Sequence, residues 1–322
     1  MKRALITGIN GQDGSYLSEF LLEKGYEVFG TVKRNSVAEN QTYRIDHIFH
    51  QVRLEYADLL DLPSLIRVIK LVQPHELYNL AAQSHVRISF DQPIYTALSA
   101  GIGTLNLLEA LRLTDPEIKF YQASSSEMFG NSNDPDGFQR ETTPMYPVSP
   151  YGCAKIFGYN IVRNYRHSYK MFASNGILFN HESPRRGSNF VSNKVVKGAV
   201  EIKRGLADEL VMGNLDAWRD WGHAKDYVKA MWLMLQHTEP DDFVCATGVS
   251  HSVQELVEYV FNKLSLDWRQ YIKKSERYFR PEELYRLRGD ASKINTVLGW
   301  KPEISFEAML DEMIDYWLNR KE

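Results

Sequence analysis

Residues 4–14 read Ala4-Leu5-Ile6-Thr7-Gly8-Ile9-Asn10-Gly11-Gln12-Asp13-Gly14. A short apolar run typical of a buried strand leads into the glycine pattern G-x-x-G-x-x-G, which opens a predicted helix over 12–24. Glycine permits a positive φ and lets a diphosphate approach the backbone, while unpaired N–H groups at a helix start attract the anion. Because an ordinary turn can carry the same glycines, their place at the first strand–helix junction is what favours a dinucleotide site. The residues predicted to bind the cofactor there are Gly8, Asn10, Gly11, Gln12, Asp13 and Gly14.

Apolar runs and amphipathic segments alternate through the rest of the first half. Strands are predicted at 4–7, 26–32, 54–57, 77–80 and 119–123, and helices at 12–24, 61–72 and 93–113. Alternation of this kind implies a parallel sheet with helices on both faces. The predicted fold class is therefore α/β, a Rossmann-type doubly wound parallel sheet with a smaller interleaved C-terminal substrate-binding lobe.

The second half continues the pattern less regularly. It is predicted to hold strands at 173–179, 209–212 and 243–246 and helices at 190–204, 224–237 and 252–264. We predict a cofactor-binding domain over 1–172 that regains segments near 173–180 and 220–247. The substrate-binding lobe is predicted over 181–219 and 248–322.

Length, charge and cysteine content limit the possible classes of protein. The 322 residues carry a formal net charge of -3, so an anionic ligand must meet a local cationic site, and nucleic acid is not an expected partner. No run approaches the ~20 apolar residues that a membrane span requires, and the basic start reaches glycine too soon for a signal peptide. Cys153 and Cys245 lack metal-ligand spacing, so we expect a cytoplasmic protein without a bound metal ion.

The end of the second predicted strand indicates which dinucleotide binds. An NAD site places a carboxylate on the ribose 2′-hydroxyl about 20 residues past the glycines. Here the strand ends in Lys33-Arg34-Asn35-Ser36, without an acid. Since a guanidinium and hydroxyls suit a 2′-phosphate, Arg34 favours NADP, although an ordinary solvated strand end can have the same composition.

Two further strand ends carry polar or small residues. Asp58 and Leu59 follow the third strand, where a carboxylate could reach the adenine amine. The fourth strand is followed by Leu80-Ala81-Ala82-Gln83-Ser84, whose small side chains would let the backbone come close to the cofactor. Either segment could be a plain turn, but both lie at C-terminal strand ends, where ligands of open α/β sheets bind. We therefore predict that these residues contact the cofactor, and that Ser84 also reaches the substrate.

Tyr151 and Lys155 are the main candidate catalytic pair. Ser149 as a cap and Pro150 at the first helical position predict a helix start, and side chains four residues apart share one helix face. An ammonium beside a phenol is expected to lower the pKa of the phenol from about 10, so that Tyr151 could act as a base. Tyr-x-x-x-Lys alone is common by chance and gains weight only after a cofactor-type sheet.

The fifth predicted strand runs into Ala123-Ser124-Ser125-Ser126-Glu127. Hydroxyls at such a place often only cap a turn, and a lone glutamate is usually solvated. Because the tyrosine helix follows shortly afterwards, we expect these groups to face the same cavity. Ser125 could then share a substrate proton with Tyr151, and Glu127 could remove an acidic C–H proton next to a carbonyl.

Several stretches resemble a known family over essentially the whole chain. They are residues 7–14, 79–86, 121–127, 149–155, 176–187, 219–227, 278–281 and 298–302. The sequence is similar to the extended short-chain dehydrogenase/reductases and, within them, to the GDP-mannose 4,6-dehydratase family. The glycine and Tyr-x-x-x-Lys motifs mark only the superfamily, whereas Phe-Asn-His-Glu-Ser-Pro-Arg-Arg-Gly at 179–187 and Arg-Asp-Trp-Gly-His at 219–223 are specific to the dehydratases.

The resemblance implies roles for individual residues. Tyr151 and Lys155 correspond to the family's Tyr–Lys pair, and Glu127 to the base that removes the C5 proton of the sugar. Ser125 stands where the family usually has threonine, and Ser126 where the related dTDP-glucose dehydratases have aspartate. Cofactor contacts are implied for Arg34, His181 and Arg186. Asn180, Arg219 and Arg280 match positions around the substrate's nucleotide, and Arg185 and Lys194 are further polar or cationic candidates in the lobe that should hold the diphosphate and base.

The expected reaction is the NADP-dependent conversion of GDP-mannose to GDP-4-keto-6-deoxy-mannose with loss of water. A dehydratase of another GDP-hexose or of a GDP-heptose is an alternative, because Arg87 lies near the expected sugar pocket. A 4-epimerase is less favoured, because it would give Glu127 no role. A keto-sugar reductase and a non-catalytic NADP sensor are also less favoured. The resemblance at residues 35–50, including Arg44, suggests a segment that reaches a neighbouring subunit, hence a homo-tetramer or dimer.

Overall fold

The computed structural model describes residues 1–34, 41–275, 279 and 281–320. The predicted substrate contact Arg280 lies outside these residues, as do Asn35 and Ser36 of the strand end that favours NADP. The strands of the described chain are β1 (Arg3–Thr7), β2 (Glu27–Val32), β3 (Val52–Tyr56), β4 (Glu76–Asn79), β5 (Lys119–Ser125), β6 (Ala173–Leu178), β7 (Asn180–Glu182), β8 (Leu210–Met212), β9 (Trp218–His223), β10 (Asp242–Cys245), β11 (Ser250–Ser252) and β12 (Ile272–Lys274).

Helices connect most of these strands. In chain order they are α1 (Gln12–Glu23), α2 (Leu62–Val72), α3 (Val86–Asp91), α4 (Pro93–Thr96), α5 (Gly103–Thr114), α6 (Pro150–Ser168), α7 (Val191–Lys203), α8 (Ala224–Gln236), α9 (Val253–Lys263), α10 (Trp268–Tyr271), α11 (Ser292–Leu298) and α12 (Phe306–Asn319). A π-helical segment, Ala97–Ile102, joins α4 to α5, and short 3₁₀ turns form at Asp46–Gln51 and Ser126–Phe129.

The large sheet has the predicted parallel architecture. Within the described residues its strand order is β10-β6-β5-β4-β1-β2-β3, with every pairing parallel. The chain builds outward from β1 in both directions, since β2 and β3 lie on one side and β4 to β6 on the other. Thr7, at the carboxyl end of β1, pairs with Thr31 of β2 and with Asn79 of β4. The order therefore reverses at β1, which is where open α/β sheets bind their ligands.

Separate apolar cores cover the two faces of this sheet. On one face α1, α8 and α11 contribute Leu17, Met231 and Ile294, each fully buried. On the other face α2, α5 and α6 contribute residues such as Leu65 and Leu111. Helices on both faces confirm the doubly wound arrangement that strand–helix alternation predicted.

Apart from the cores on the two faces of the large sheet, another apolar core, called the second core below, lies beyond the carboxyl edge of that sheet. It is built from α7, α9 and α12 around Val196, Leu256 and Leu310. Small sheets flank it: β11, β9 and β7 form one, and β12 pairs with β8 in another. The sequence pattern predicts β8 but not β7, β9, β11 or β12.

The helical run Pro93–Thr114 covers one face of the large sheet. Its 22 residues are long and apolar enough, by length and composition alone, to cross a membrane, so the prediction that no run comes close was wrong. Of its most apolar window, 56% is buried within the fold, where α5 packs against both α2 and α6. A helix with apolar neighbours on more than one side needs apolar residues over a wide part of its circumference, which accounts for the apolar residues on its buried sides.

Candidate active site

A cavity of about 710 Å³ opens at the carboxyl ends of β4, β5 and β6 and extends to β7, α7, β8 and β9. Residues of the large sheet and of the second core together form its walls. Many residues predicted from the sequence line it: Asp13, Leu80, Ala82, Ser84, Ser125, Glu127, Tyr151, Lys155, Asn180, His181, Arg186, Lys194 and Arg219. The structure therefore brings the predicted catalytic residues into one space with residues predicted to bind the cofactor and the substrate.

The glycine turn between β1 and α1 has the form that a diphosphate site needs. Gly8 has φ +70°, and a Cβ there would lie 3.0 Å from the backbone nitrogen of Ala81. A Cβ at Gly14 would lie 2.4 Å from the carbonyl oxygen of Gly8, which only glycine avoids. Gly11 caps α1 without any side-chain hydrogen bond, so no side chain covers the first N–H groups of the helix. These residues fit the diphosphate of a dinucleotide.

The segment after β4 is fixed against the same turn. The Thr7 hydroxyl accepts hydrogen bonds from the backbone nitrogens of Leu80, at 3.1 Å, and Ala81, at 3.2 Å. The Gln83 side chain instead turns into its own loop, where its oxygen accepts a 2.6 Å hydrogen bond from the His85 backbone. Gln83 thus shapes the segment, and the backbone of its neighbours faces the cofactor turn.

The ends of β2 and β3 meet through an ion pair. Lys33 Nζ lies 3.0 Å from the carboxylate of Asp58. Partial burial by itself raises the pKa of Asp58, but the hydrogen bond from the Leu60 backbone and the pairing with Lys33 together lower it. The Arg34 guanidinium lies 5.9 Å from the centre of the exposed Tyr56 ring. Leu59 is buried, and a Cβ at Gly103 would lie 2.8 Å from its side chain, so that side chain packs against the start of α5.

The start of α6 presents Tyr151 and Lys155 as predicted. Ser149 caps the helix by accepting a 3.0 Å hydrogen bond from the Gly152 nitrogen, with Pro150 in the first turn. Lys155 donates a 2.8 Å hydrogen bond to the carbonyl oxygen of Ala123, and its Nζ lies 5.6 Å from the centre of the Tyr151 ring. Both side chains are buried in the cavity wall.

The electrostatics of this pair differ from the prediction. Burial raises the pKa of Tyr151 to about 12, and the nearby Glu127 charge adds to that effect while a hydrogen bond with Ser125 opposes it. Burial lowers the pKa of Lys155 to about 8. The expectation of a lowered pKa for Tyr151 was therefore wrong, because the loss of solvation raises this pKa by more than the surrounding groups lower it.

Glu127 lies inside the cavity rather than in solvent. Its exposed fraction is 6%, and it lies in the 3₁₀ turn after β5, where its own backbone N–H donates to Ser125 Oγ at 3.2 Å. A Cβ at Gly152 would lie 2.8 Å from the Glu127 carbonyl oxygen, so glycine next to Tyr151 lets this turn pack against the start of α6. The carboxylate and the phenol therefore share one space.

Asp13 and His181 connect the cofactor turn to β7. The carboxylate of Asp13 lies 2.8 Å from His181 Nε2, and Gln12 Nε2 donates to the other carboxylate oxygen at 3.0 Å. Burial opposes ionisation of Asp13, but His181 and Gln12 outweigh it and lower its pKa to about 2. Both residues predicted for the cofactor thus belong to one ion pair in the cavity wall.

Cationic and amide side chains line the second-core side of the cavity. Arg186 pairs with the buried Glu182 at 3.0 Å, and Lys194 donates to the carbonyl oxygen of Val211 at 2.6 Å. Arg219, 6% exposed, donates to the carbonyl oxygen of Trp218 at 2.8 Å. Arg185 was expected near the nucleotide, but its side chain points away and pairs with Glu19 of α1.

Arg44 binds the cofactor turn of its own chain. Its guanidinium donates to the carbonyl oxygen of Arg185 at 2.7 Å and to that of Asn10 at 3.3 Å. Burial and the charges of Arg185 and Arg186 lower the pKa of Arg44. The residue expected to reach a neighbouring subunit is thus also a support for the glycine turn.

The cavity also contains residues that sequence reasoning did not assign. Among them are His85, Glu182, Asn189, Phe190, Asn214, Val253 and Glu283. Glu182 lies in the three-residue strand β7 and Asn214 follows β8, where no periodic pattern marks an element, whereas Phe190 and Val253 fall within helices that the sequence predicts. Among the described residues, no three His, Cys, Asp or Glu side chains come together as a possible metal site.

A sequence model described as GDP-mannose 4,6 dehydratase matches residues 5–313, nearly the full length of the chain. The chain belongs to the GDP-mannose 4,6-dehydratase family. GDP-mannose 4,6 dehydratase 2 of Arabidopsis thaliana is 52% identical over 98% of this chain and 86% of its own length. The human GDP-mannose 4,6 dehydratase is 49% identical over 97% of this chain and 90% of its own length. Both relatives therefore match this chain across the large sheet and the second core.

The fold of this member of the GDP-mannose 4,6-dehydratase family also matches solved structures. The dTDP-glucose 4,6-dehydratase of Streptomyces venezuelae, whose structure contains NAD, superposes with a TM-score of 0.87 at 22% identity, over 98% of this chain and 96% of that one. Together with the parallel sheet, this confirms the predicted Rossmann-type architecture.

Proposed function

We propose that the protein is a hydro-lyase that converts GDP-mannose to GDP-4-keto-6-deoxy-mannose, with NADP as a cofactor that is regenerated within each turnover. The observation that carries this proposal is the Glu127 carboxylate, 6% exposed, in the same cavity as Tyr151. A dehydratase needs a base for C5 in addition to the groups that oxidise C4. An epimerase or a reductase does not need that carboxylate.

Tyr151, Ser125 and Lys155 act on the C4 hydroxyl. Tyr151 accepts the hydroxyl proton, and the Ser125 hydrogen bond stabilises the phenolate that does so. Lys155 is held by the Ala123 carbonyl and places a cation beside the phenol ring. When bound, NADP would supply the hydride chemistry between C4 and C6, and the positive charge of its oxidised ring would favour the phenolate.

Glu127 acts on C5 and C6. The C4 ketone makes the C5 proton acidic, and Glu127 accepts that proton. Glu127 then donates a proton to the C6 hydroxyl, which leaves as water and produces a C5–C6 double bond conjugated with the ketone. Hydride addition at C6 and return of one proton to C5 complete the balance, so the net change is the loss of one water molecule.

The residues that would hold NADP lie on the large-sheet side of the cavity. The glycine turn takes the diphosphate, the backbone of 80–84 takes the nicotinamide half, and Asp58, Leu59 and Arg34 border the adenosine end. Arg34 is exposed at the end of β2 and is available for a 2′-phosphate, whereas the Lys33 charge is already shared with Asp58. This arrangement favours NADP over NAD.

The residues that would hold the GDP moiety lie on the second-core side. Asn180, Lys194 and Arg219 line this part, and Arg280 is proposed to join them. Arginine forks suit the two phosphates of the diphosphate. This supports a division into a cofactor domain over 1–172, with returns near 173–180 and 220–247, and a substrate lobe over 181–219 and 248–322.

An exposed apolar face supports assembly as a dimer or, with a second interface, a homo-tetramer. Ile94, Leu98 and Ile102 are 75%, 39% and 37% exposed at a spacing of four residues. Phe157 of α6, 41% exposed, lies beside them, since a Cβ at Gly101 would be 3.3 Å from its ring. A two-fold pairing of this face would bury these side chains.

The two unpaired cysteines favour a cytoplasmic setting.

A GDP-hexose other than mannose, or a GDP-heptose, is the second candidate substrate. Arg87 lines the cavity and is held by Asp91 at 2.8 Å, so a long cationic side chain borders the sugar. The decisive test is mass spectrometry of the product from each GDP-sugar with a trace of NADP. Loss of one water mass from GDP-mannose supports the proposal. Unchanged GDP-mannose beside a dehydrated second sugar assigns the alternative, and no dehydration of any GDP-sugar refutes both.

A further inference from the structure

Both ring nitrogens of His181 lie next to hydrogen-bond acceptors. Nδ1 is 2.7 Å from the carbonyl oxygen of Phe179, and Nε2 is 2.8 Å from the carboxylate of Asp13. A carbonyl oxygen only accepts hydrogen bonds, so Nδ1 carries a proton. An ionised carboxylate also only accepts, so Nε2 carries a second one. The geometry therefore makes His181 an imidazolium.

The surroundings of His181 stabilise this charge. Its ring is 8% exposed and stacks on Tyr227 of α8, with 4.5 Å between ring centres and 18° between planes. Burial alone lowers the pKa of His181, but Asp13 outweighs it and the net pKa is raised, in spite of the nearby Arg186 charge. The charged groups that face the ring are thus Asp13 on α1 and Arg186 after β7.

Asp13 occupies a position where a negative charge has an electrostatic cost. It lies in the first turn of α1, lines the cavity, and follows the glycine turn whose N–H groups no side chain caps. A carboxylate at this end of a helix is favourable by itself. It becomes unfavourable when a diphosphate has to bind the same turn, because like charges repel at short range.

We propose that His181 cancels the charge of Asp13, so that the first turn of α1 can accept the diphosphate of the cofactor. This inference rests on the cofactor site of the proposed function and deepens it. Asp13 and His181 are then positioning residues: neither has to touch the reacting atoms, and the pair sets the charge of the turn.

The hydrogen bonds around Asp13 explain why the first turn of α1 carries an acidic residue. Gln12 Nε2 donates to the Asp13 carboxylate and to the His181 carbonyl oxygen, both at 3.0 Å. The Gln12 oxygen accepts a 2.8 Å hydrogen bond from Ser183. Asp13 is thus the anchor of a network that ties α1 to the segment after β6, and His181 removes its electrostatic disadvantage.

Charge cancellation makes a prediction that a purely structural role does not. NADPH binding to the purified full-length protein would be followed by nicotinamide fluorescence for wild type, H181Q, D13N and the double variant D13N/H181Q. Glutamine keeps a donor toward Asp13 but no charge. We expect H181Q to weaken NADPH binding by about tenfold, the size of one uncompensated charge at a helix N-terminus. Asp13→Asn in the same chain should restore most of that loss.

The matched control is Glu19→Gln. Glu19 forms an ion pair between α1 and Arg185 but does not line the cavity, so NADPH affinity should stay within about twofold of wild type. A double variant that binds as weakly as H181Q, or more weakly, overturns the inference. Circular dichroism would confirm folding of each variant. If wild type dehydrates a GDP-sugar but the double variant shows no restored NADPH binding, only this inference fails. If wild type does not bind NADPH, the cofactor proposal fails with it.

Discussion

The Nζ of Lys155 donates a 2.8 Å hydrogen bond to the carbonyl oxygen of Ala123. This contact fixes the lysine of α6 to β5, two residues before Ser125. The side chain is buried, and burial lowers its pKa to about 8. A fixed cation that loses its proton near physiological pH gives the site a pH dependence that can be measured.

Lys155→Arg should remove the alkaline limb of the rate profile. Lys155 carries its charge below its pKa of about 8 and loses it as the pH rises through that value. Activity that needs the cation therefore falls above about pH 8 in wild type. Arginine stays protonated, so its kcat/KM should be lower overall but flat to higher pH. Lys155→Met serves as the uncharged control and should be inactive throughout. An alkaline limb that persists in Lys155→Arg would contradict this role.

Glu127→Gln should abolish dehydration while leaving cofactor binding intact. The amide keeps the size of the buried side chain but cannot accept the C5 proton. General-base catalysis contributes about 10²- to 10⁴-fold, so product formation should fall by that factor. The measurement is keto-sugar formation by mass spectrometry, with NADPH affinity as the control. Dehydration at the wild-type rate would remove the basis for the proposed mechanism.

Gly14→Ala should destabilise the cofactor turn. The new Cβ would lie 2.4 Å from the Gly8 carbonyl oxygen and 2.6 Å from the Ile9 Cα, and backbone atoms cannot move aside cheaply. We expect a loss of about 1–3 kcal/mol in the free energy of unfolding, measured with urea, together with weaker NADPH binding. Glu23→Ala, at the exposed end of the same helix, is the control and should change little.

Asp13→Asn should change how stability depends on acid pH. Asp13 has a pKa of about 2 in the folded chain and an ordinary value of 3.8, so its stabilising effect is complete above about pH 4 and is lost as the pH falls. His181, whose pKa is raised, adds stability at low pH and loses it only on the alkaline side. The stability gap between wild type and Asp13→Asn should narrow by about 1 kcal/mol from pH 6 to pH 3, by urea unfolding. A constant gap would show that Asp13 is not paired as the structure indicates.

Ile94→Asp should disrupt self-association. Ile94 is 75% exposed in the single chain, so a charge there disturbs only a contact with another copy. Sedimentation velocity should show a smaller species for this variant than for wild type. Leu71→Asp, on the exposed side of α2, is the matched control because that residue is 59% exposed but lies away from the proposed face. If both variants sediment like wild type, the interface lies elsewhere.

The longer elements of the large sheet could be predicted because their patterns are strong. Predicted strands and helices around β1, α1, β2 and β5 differ from the observed bounds by one or two residues, since buried strands and sheet-covering helices have a clear apolar period. The short strands β7, β11 and β12, each of three residues, carry no such period.

The strand β9 was missed for a tertiary reason. Its sequence is polar, yet Asp220 is fully buried because its carboxylate accepts hydrogen bonds from the backbone nitrogens of Thr247, Gly248 and Gly289. Those partners lie far along the chain, so no local sequence pattern indicates these hydrogen bonds. The elevated pKa of Tyr151 was missed for a similar reason, since the degree of burial is a property of the assembled cavity.

At two places the chain crosses between the large sheet and the small sheet beside the second core over a very short connection. Phe179 alone separates β6 from β7, and β9 continues directly into α8, whose first turn His223 caps. A hinge requires a few residues that are free to change their backbone angles, and neither crossing contains them. These two crossings therefore act against a hinge opening between the two halves of the cavity, and a GDP-sugar would enter a cavity of nearly constant shape. Selection among sugars would then depend on the fit of the walls rather than on closure around the ligand.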